Sequence, residues 1–476
     1  MSGFFVAKGN VAKYISKETI TKLKHRGHKA GLYFFNNDEI ALGMVGSNNN
    51  DYFNDGKSFI SLDGNTYFNN NNNGNMIQDI LKTYQQNGTD FIKELNGSFA
   101  FCIYDNKDLL LARDRYGIKP LYWGQKNDSI FFASEIKSLV GNCENIRPFP
   151  PGYMYYNNKL RSFVDDEEDS TASFDLNTLE CSTQIRNLLQ TAIKRSVDNK
   201  DNIGVFLSGG LDSSIIAALV NNVQPSYKSI SVGFENADDL FYARSLAKHL
   251  DIEHFEYIYT IEEIFDILPQ VIYHLESFDW SLVRSSIANY FASKLACENN
   301  IEFVLMGEGA DELFGGYEYL KNKNRNEQID ELDLLLKTSH SMGFQRVDRM
   351  TSAFGLDVDL PFMDYELIDF SNLIPIEWKI NNEGIEKWIL REAFINLLPN
   401  NILFRQKEEF SKGSGTADIM SEIISAHISD EEFDKNRTIS ENLRLVSKEE
   451  LYYYRIFKDF YPDQNLAEVV GRWKPW

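Results

Sequence analysis

The chain has 476 residues, 43% hydrophobic and 13% aromatic, which supplies sizeable cores and exceeds the length of one ordinary domain. Lys and Arg total 48 against 70 Asp and Glu, a formal charge of -22. Such a field repels nucleic acid and anionic membrane surfaces and argues against both as partners. It leaves open a nucleotide held in a local pocket by backbone N–H groups.

The opening residues, MSGFFVAKGNVAKYISK, lack a basic segment followed by a sustained apolar one, which argues against a secretory signal. No apolar run reaches the roughly 18 residues that span a bilayer. The cysteines Cys102, Cys143, Cys181 and Cys297 are scattered without a C-x-x-C pair, as in a reduced, cytoplasmic protein. His25 and His28 are close together but read as part of a surface loop, so protein-bound zinc is not expected.

Residues 1 to about 160 read as β-rich. GLYFF (31–35), SFAFCIYD (98–105), DLLLARD (108–114), SIFFASE (129–135) and YMYYNN (153–158) are short apolar runs punctuated by turn residues. TKLKHRG (21–27) and MIQDILKTYQQNG (76–88) carry helical spacing, the second with Ile77, Ile80, Leu81 and Tyr84 on one side. The clusters Asn48–Asn50 and Asn69–Asn73 read as exposed loop fillers. The acidic stretch 165–175 reads as a linker. Beyond it, strands at 202–210, 227–234, 254–260 and 302–309 alternate with helical segments, which predicts a parallel sheet covered by helices on both faces. The last 150 or so residues read as mostly helical.

The strongest local signal is Gly204-Val-Phe-Leu-Ser-Gly-Gly-Leu-Asp-Ser-Ser214. A buried strand runs into Ser208-Gly209-Gly210, and Asp212, Ser213 and Ser214 then open a helix. Two glycines let the backbone fold closely against an anion, and the helix start offers N–H groups with the positive end of the dipole. Asp212 sits badly beside bare phosphate, so a bridging Mg²⁺ is the natural companion. The absence of Gly-Lys-Ser/Thr excludes a Walker A loop. Read alone, the same residues also suit an ordinary capped helix.

Three further blocks accompany it: Val304-Leu-Met-Gly-Glu-Gly-Ala-Asp-Glu-Leu-Phe-Gly-Gly-Tyr317, Lys407-Glu-Glu-Phe-Ser-Lys-Gly413 and Glu276-Ser-Phe-Asp-Trp-Ser-Leu-Val-Arg284. Taken in chain order, the four blocks resemble the asparagine synthetase family, and the resemblance extends over nearly the whole chain. The resemblance implies an N-terminal αββα glutaminase-like (Ntn) sandwich, 1–170, and a doubly wound α/β ATP-pyrophosphatase domain, 171–476. It implies ATP and Mg²⁺, with ATP and pyrophosphate bound by Phe206, Ser208, Gly209, Gly210, Asp212, Ser213, Ser214, Val232 and Gly307. Asp212 and Asp311 become the metal carboxylates, Lys407 the cation that follows the phosphates, and Glu308 the general base for the attacking amine. Glu276 and Arg284 become the contacts of a small-molecule carboxylic acid. Taken singly, Lys407 fits a solvated charged run and Arg284 a structural ion pair; alongside the Ser208 loop both read as functional.

The chain also departs from the family. Glutamine-using members begin Met-Cys-Gly, whereas this chain has Met1-Ser2-Gly3. Leu42-Gly43-Met44-Val45-Gly46 stands where the family has Gly-His-Arg-Arg-Leu, and Leu62–Tyr67 matches the oxyanion-donor segment poorly. Asn96–Phe101 and Ala112–Tyr122 still match the scaffold, so a kept fold with a degenerate, inactive glutamine site is expected. Met306 replaces the usual Ser, and Asp357 and Asp359 replace Glu and Arg, which weakens aspartate as the assumed acceptor if that segment borders the substrate. The expected activity is adenylation of a carboxylate followed by transfer of ammonia or an amine. The alternatives are a β-lactam-synthetase-like or other tailoring ligase, and a nucleotide-binding scaffold without catalysis. A homodimer and an ammonia-supplying partner both remain open.

Overall fold

A period of two sorts the N-terminal residues into layers. The computed structural model describes residues 1–27, 32–46, 51–68, 76–105, 108–164, 175–407 and 410–473. Among them, twelve strands precede residue 163. They are β1 (Gly3–Lys8), β2 (Leu32–Asn36), β3 (Ile40–Val45), β4 (Tyr52–Asn54), β5 (Phe59–Phe68), β6 (Leu95–Tyr104), β7 (Leu109–Arg113), β8 (Tyr122–Lys126), β9 (Ser129–Ala133), β10 (Glu144–Pro148), β11 (Tyr153–Tyr156) and β12 (Lys159–Ser162). They form two antiparallel sheets, ordered β10-β8-β9-β1-β3-β2 and β12-β11-β7-β6-β5-β4. Phe4 and Val6 of β1 meet Ala100, Cys102 and Tyr104 of β6 between the sheets. The alternate residues of β6, Phe99, Phe101 and Ile103, face outward onto Ile77, Ile80 and Leu81 of the helix Met76–Asn87. Burial on both faces therefore gives the helix–sheet–sheet–helix layering.

Of the twelve, β2, β6, β7, β9 and β11 are the expected strands, with shifted ends; the other seven go beyond the expectation, β1 and β3 because their nearly continuous burial hides the alternation. The helical reading of 21–27 resolves into a helix at Lys17–Thr21 and a 3₁₀ turn at Lys24–Arg26. Both asparagine clusters, His28 and nearly all of the linker, with the boundary near 170, lie outside the described residues.

The second half holds β13 (Ile203–Phe206), β14 (Lys228–Gly233), β15 (Glu253–Ile258), β16 (Phe303–Leu305) and β17 (Asp357–Asp359). All pair in parallel in the order β15-β14-β13-β16-β17. The chain steps outward from β13 to β15 and then resumes on the other side at β16. The crevice at the carboxyl ends of β13 and β16 is thus the topological switch point, where such sheets bind ligands. Among the described residues no helix is long and apolar enough to cross a membrane.

The two halves are joined by buried charges. The Arg26 guanidinium is 0% exposed and donates to Asp63 (2.8 Å), Glu135 (2.8 Å) and Asp348 (2.7 and 3.0 Å). Arg349 donates to Glu276 at 2.8 Å and lies 3.3 Å from Glu135. Glu276 also accepts from the backbone N–H groups of Ile136 and Lys137, at 2.9 and 2.8 Å. His25, expected in a surface loop, is instead 13% exposed, 3.0 Å from Glu135 and edge-on to His274 at 4.6 Å. It joins Arg26, Lys137 and Arg349 around the buried Glu135 carboxylate.

Two outcomes follow from this junction. Arg349→Met leaves Glu276 and Glu135 short of a cation and should lower stability by about 3–5 kcal/mol, with Arg349→Lys recovering part of the loss. An unchanged thermal unfolding curve for Arg349→Met would refute the junction's role. Burial, with the charges of His25 and Lys137, pushes the pKa of His274 down to about 2. The unfolded chain, with an ordinary imidazole, therefore binds a proton that the folded chain rejects, and stability falls as pH drops below about 6.5. His274→Gln should flatten that slope by about 1.4 kcal/mol per pH unit in urea titrations near pH 6 and near pH 4. Equal slopes in both proteins would show that His274 titrates normally.

Candidate active site

Backbone geometry at the end of β13 requires glycine. Gly209 has φ +69°, and a Cβ there would lie 2.4 Å from Tyr242 Cβ and 2.6 Å from the Ala243 nitrogen. The turn is closed by hydroxyls. Ser208 Oγ is 3.1 Å from Ser213 Oγ and accepts from the Gly210 N–H at 3.2 Å, while Ser213 Oγ accepts from the Ser208 N–H at 3.2 Å. The helix Leu211–Val223 starts with no side-chain cap, so its first N–H groups remain available to an anion. Ser214 Oγ is buried with no hydrogen-bond partner among the described residues. Phe206 and Val232, expected beside the nucleotide, are buried in the sheet near the carboxyl ends of their strands.

The loop after β16 comes against this turn. A Cβ on Gly307 would lie 2.9 Å from the Asp212 backbone carbon, so glycine permits the approach. The contact brings Asp212 and Asp311 to one cation. Lys387 Nζ donates to both Asp212 oxygens, at 2.7 and 2.6 Å, and lies 2.6 Å from Asp311 Oδ1. Lys407 Nζ lies 2.7 Å from Asp311 Oδ2 and 3.9 Å from Asp212. Burial opposes ionisation of Asp311, but Lys387 and Lys407 outweigh it and hold the carboxyl below its ordinary range. Burial likewise lowers the pKa of Lys407 less than Asp311 and Asp212 raise it, so the ammonium stays charged. The cleft above opens to solvent, with Ser208, Gly210, Asp212, Lys387, Arg405 and Lys407 in its wall.

Glu308 stands on the other side of Gly309, 2.5 Å from Arg346 Nη2 and packed against Gly343. Its neighbour Glu312 is buried and accepts from Tyr317 Oη at 2.6 Å; burial and the charges of Asp311 and Glu308 push its pKa up to about 7. Two expected substrate contacts lie elsewhere. Glu276 is spent in the buried junction described above, and Arg284 donates to Glu449 at 2.7 Å with its guanidinium over Trp280. Neither lines the cleft. Glu276 is drawn into the junction because two backbone N–H groups and Arg349 meet all the needs of its charge there.

Sequence reasoning missed Lys387, Arg346 and Arg405. Lys387 stands alone in an ordinary stretch, and only its left-handed backbone (φ +53°) at the start of the helix Trp388–Phe394 marks it. Arg405 donates to the Ser208 carbonyl at 3.0 Å and to Asp239 at 2.7 Å, and stacks over Tyr242. Its place two residues before Lys407 was the available signal. Met306 is buried, with its sulfur 4.0 Å from Asn289 Nδ2.

Asp212 and Asp311 also fit a divalent cation, since both already converge on the one point held by Lys387 Nζ. Among the described residues no group of three or more His, Cys, Asp or Glu is placed to hold a metal. Two protein carboxylates supplemented by phosphate oxygens are the usual arrangement for Mg²⁺.

Residues 184–339 and 328–476 match the asparagine synthase family model, and residues 57–141 match a glutamine amidotransferase domain model. A probable glutamine-hydrolysing asparagine synthetase of Dictyostelium discoideum is 35% identical over 83% of this chain and 78% of its own length. Asparagine synthetase B of Escherichia coli (strain K12) is 35% identical over 83% of this chain and 76% of its own. A glutamine-hydrolysing asparagine synthetase of Oryza sativa subsp. japonica is 32% identical over 95% and 83%. With its cleft at the switch point of a parallel sheet behind a layered antiparallel half, the chain belongs to the asparagine synthase family of ATP-dependent carbon–nitrogen ligases.

Proposed function

We propose that this chain adenylates aspartate and transfers free ammonia to it, forming asparagine, AMP and pyrophosphate, without hydrolysing glutamine. The observation that carries the reading is the cluster of Asp212, Asp311, Lys387 and Lys407 around one cleft. A carboxylate cannot expel an oxide, so its oxygen attacks the α-phosphorus of ATP and pyrophosphate leaves. Ammonia then attacks the acyl carbon, loses a proton, and AMP leaves. Mg²⁺ held by Asp212 and Asp311 would neutralise triphosphate charge. Lys407 follows the phosphates as a point charge and stabilises charge that builds up in both steps. Glu308, partly buried beside the cleft loop, receives the proton, with Arg346 orienting its carboxylate.

The departures at Asp357 and Asp359 do not count against aspartate, because both carboxylates are engaged elsewhere, Asp357 beside the Met1 amino group. Asp359 accepts from Asn65 at 3.0 Å and Ser196 at 2.6 Å, away from the cleft. Loss of glutaminase activity rests on Ser2 and its surroundings. The Ser2 hydroxyl donates to the Leu62 carbonyl at 2.8 Å, and the Ser2 carbonyl accepts from Arg26 at 2.6 Å. Asp63 is engaged by the same guanidinium, and Met44 and Val45 offer a glutamine carboxylate no charge. The free cysteines, three of them buried, suit a cytoplasmic setting.

Purified protein with Mg-ATP, ammonium and aspartate should release pyrophosphate and form asparagine, and Lys407→Met should reduce the rate about 100-fold or more. Release with a different acid only would move the chain to a tailoring reaction, and no release with any acid would leave a nucleotide-binding scaffold. Glutamine as sole nitrogen source should yield neither glutamate nor asparagine, and Ser2→Cys should not restore them. Glutamate formation by either protein would overturn this part of the reading.

A further inference from the structure

The carboxylate pair in the cleft is already balanced by the protein's own cations. Asp212 and Asp311 carry two negative charges, and Lys387 and Lys407 return two positive ones within 2.7 Å. Lys387 is the tighter member. Its side chain is 2% exposed against 29% for Lys407, and it reaches both carboxylates where Lys407 reaches one closely. The protein is shaped to hold it there. The Lys387 backbone is left-handed, and a Cβ on Gly316 would lie 1.8 Å from Asp311 Oδ1 and 2.3 Å from Lys387 Cε. Glycine at 316 is thus what lets the lysine and the carboxylate meet. Arg391 fixes the segment from behind, donating to the Glu386 side chain at 2.8 Å and to its carbonyl at 2.9 Å.

Resting on the nucleotide-site reading above, we propose that Lys387 is a resident counter-cation that bars a divalent ion from Asp212 and Asp311 until nucleotide phosphates arrive. A bare divalent ion would have to displace a buried ammonium and leave it without an anion, which is unfavourable in a desolvated site. A triphosphate changes the balance, because its oxygens give Lys387 new partners and leave the carboxylates free for the metal. Metal and nucleotide therefore enter together, and the carboxylate pair does not collect divalent ions between turnovers.

The test is Mn²⁺ binding, followed by electron paramagnetic resonance, to nucleotide-free wild type, Lys387→Met, Lys387→Gln, Asp311→Asn and the Lys387→Met/Asp311→Asn double variant. Wild type should show no Mn²⁺ site that Asp311→Asn removes. Lys387→Met should gain such a site, at least about tenfold tighter than anything in wild type, and the double variant should lose it. Lys387→Gln serves the same purpose if the methionine variant does not fold. A Mn²⁺ site in nucleotide-free wild type that Asp311→Asn abolishes would overturn the proposal, as would a folded Lys387 variant that gains none. Binding of α,β-methylene-ATP, measured separately by equilibrium dialysis, reports on the nucleotide reading alone. Its failure would sink that reading while the Mn²⁺ titration still decides the role of the lysine.

Discussion

Two carboxylates on neighbouring loops repel each other, and the cleft exists in its present form because an ammonium group sits between them. Asp212 follows β13 and Asp311 follows β16, so the parallel pairing of those strands brings the two loops together. Lys387, 2.6–2.7 Å from their oxygens, turns that closeness from a strain into an attraction. Other features serve this contact. Gly307 allows the loops to touch, Gly316 clears space for the lysine, and Arg391 ties the Lys387 segment to the carbonyl of Leu403 at the start of the stretch that carries Lys407. The phosphate turn is held from outside by Arg405, which reaches the Ser208 carbonyl and Asp239 at once.

A second set of charges does for the whole molecule what Lys387 does for the cleft. Arg26 and Arg349, both fully buried, satisfy Asp63, Glu135, Asp348 and Glu276 across the meeting of the two halves. The helix Gly343–Ser352 connects the two systems, since it carries Asp348 and Arg349 into the junction and Arg346 toward Glu308. One helix thus touches both the buried junction and the proposed base.

Much of this was legible in the residues. The turn at Ser208 was readable because its glycines and hydroxyls are local requirements of one short bend, and so was the parallel sheet, from its alternation of strand and helix. Lys407 and Asp311 could be placed only through the order of the four blocks, since a lysine in RQKEEFSK otherwise looks solvated. Lys387 was not readable: its position depends on a left-handed residue and on contacts 175 positions away. Glu276 and Arg284 went elsewhere for a similar reason. Each has the charge a substrate contact needs, but partners distant in the chain, Arg349 and Glu449, claim them first. The strands β1 and β3 were hidden because burial on both faces erases the alternation that marks a strand.

Glu276 ends its helix in a left-handed conformation and rests its carboxylate on two backbone N–H groups from residues 136 and 137. Those donors belong to the other half of the chain and carry no side-chain identity, so no substitution at residues 136 or 137 short of proline removes them. Cutting the N-terminal half away would strip Glu276 of both amides, Arg349 of Glu135, and Asp348 of Arg26 in one stroke. The second half thus keeps buried charges whose partners only the first half supplies.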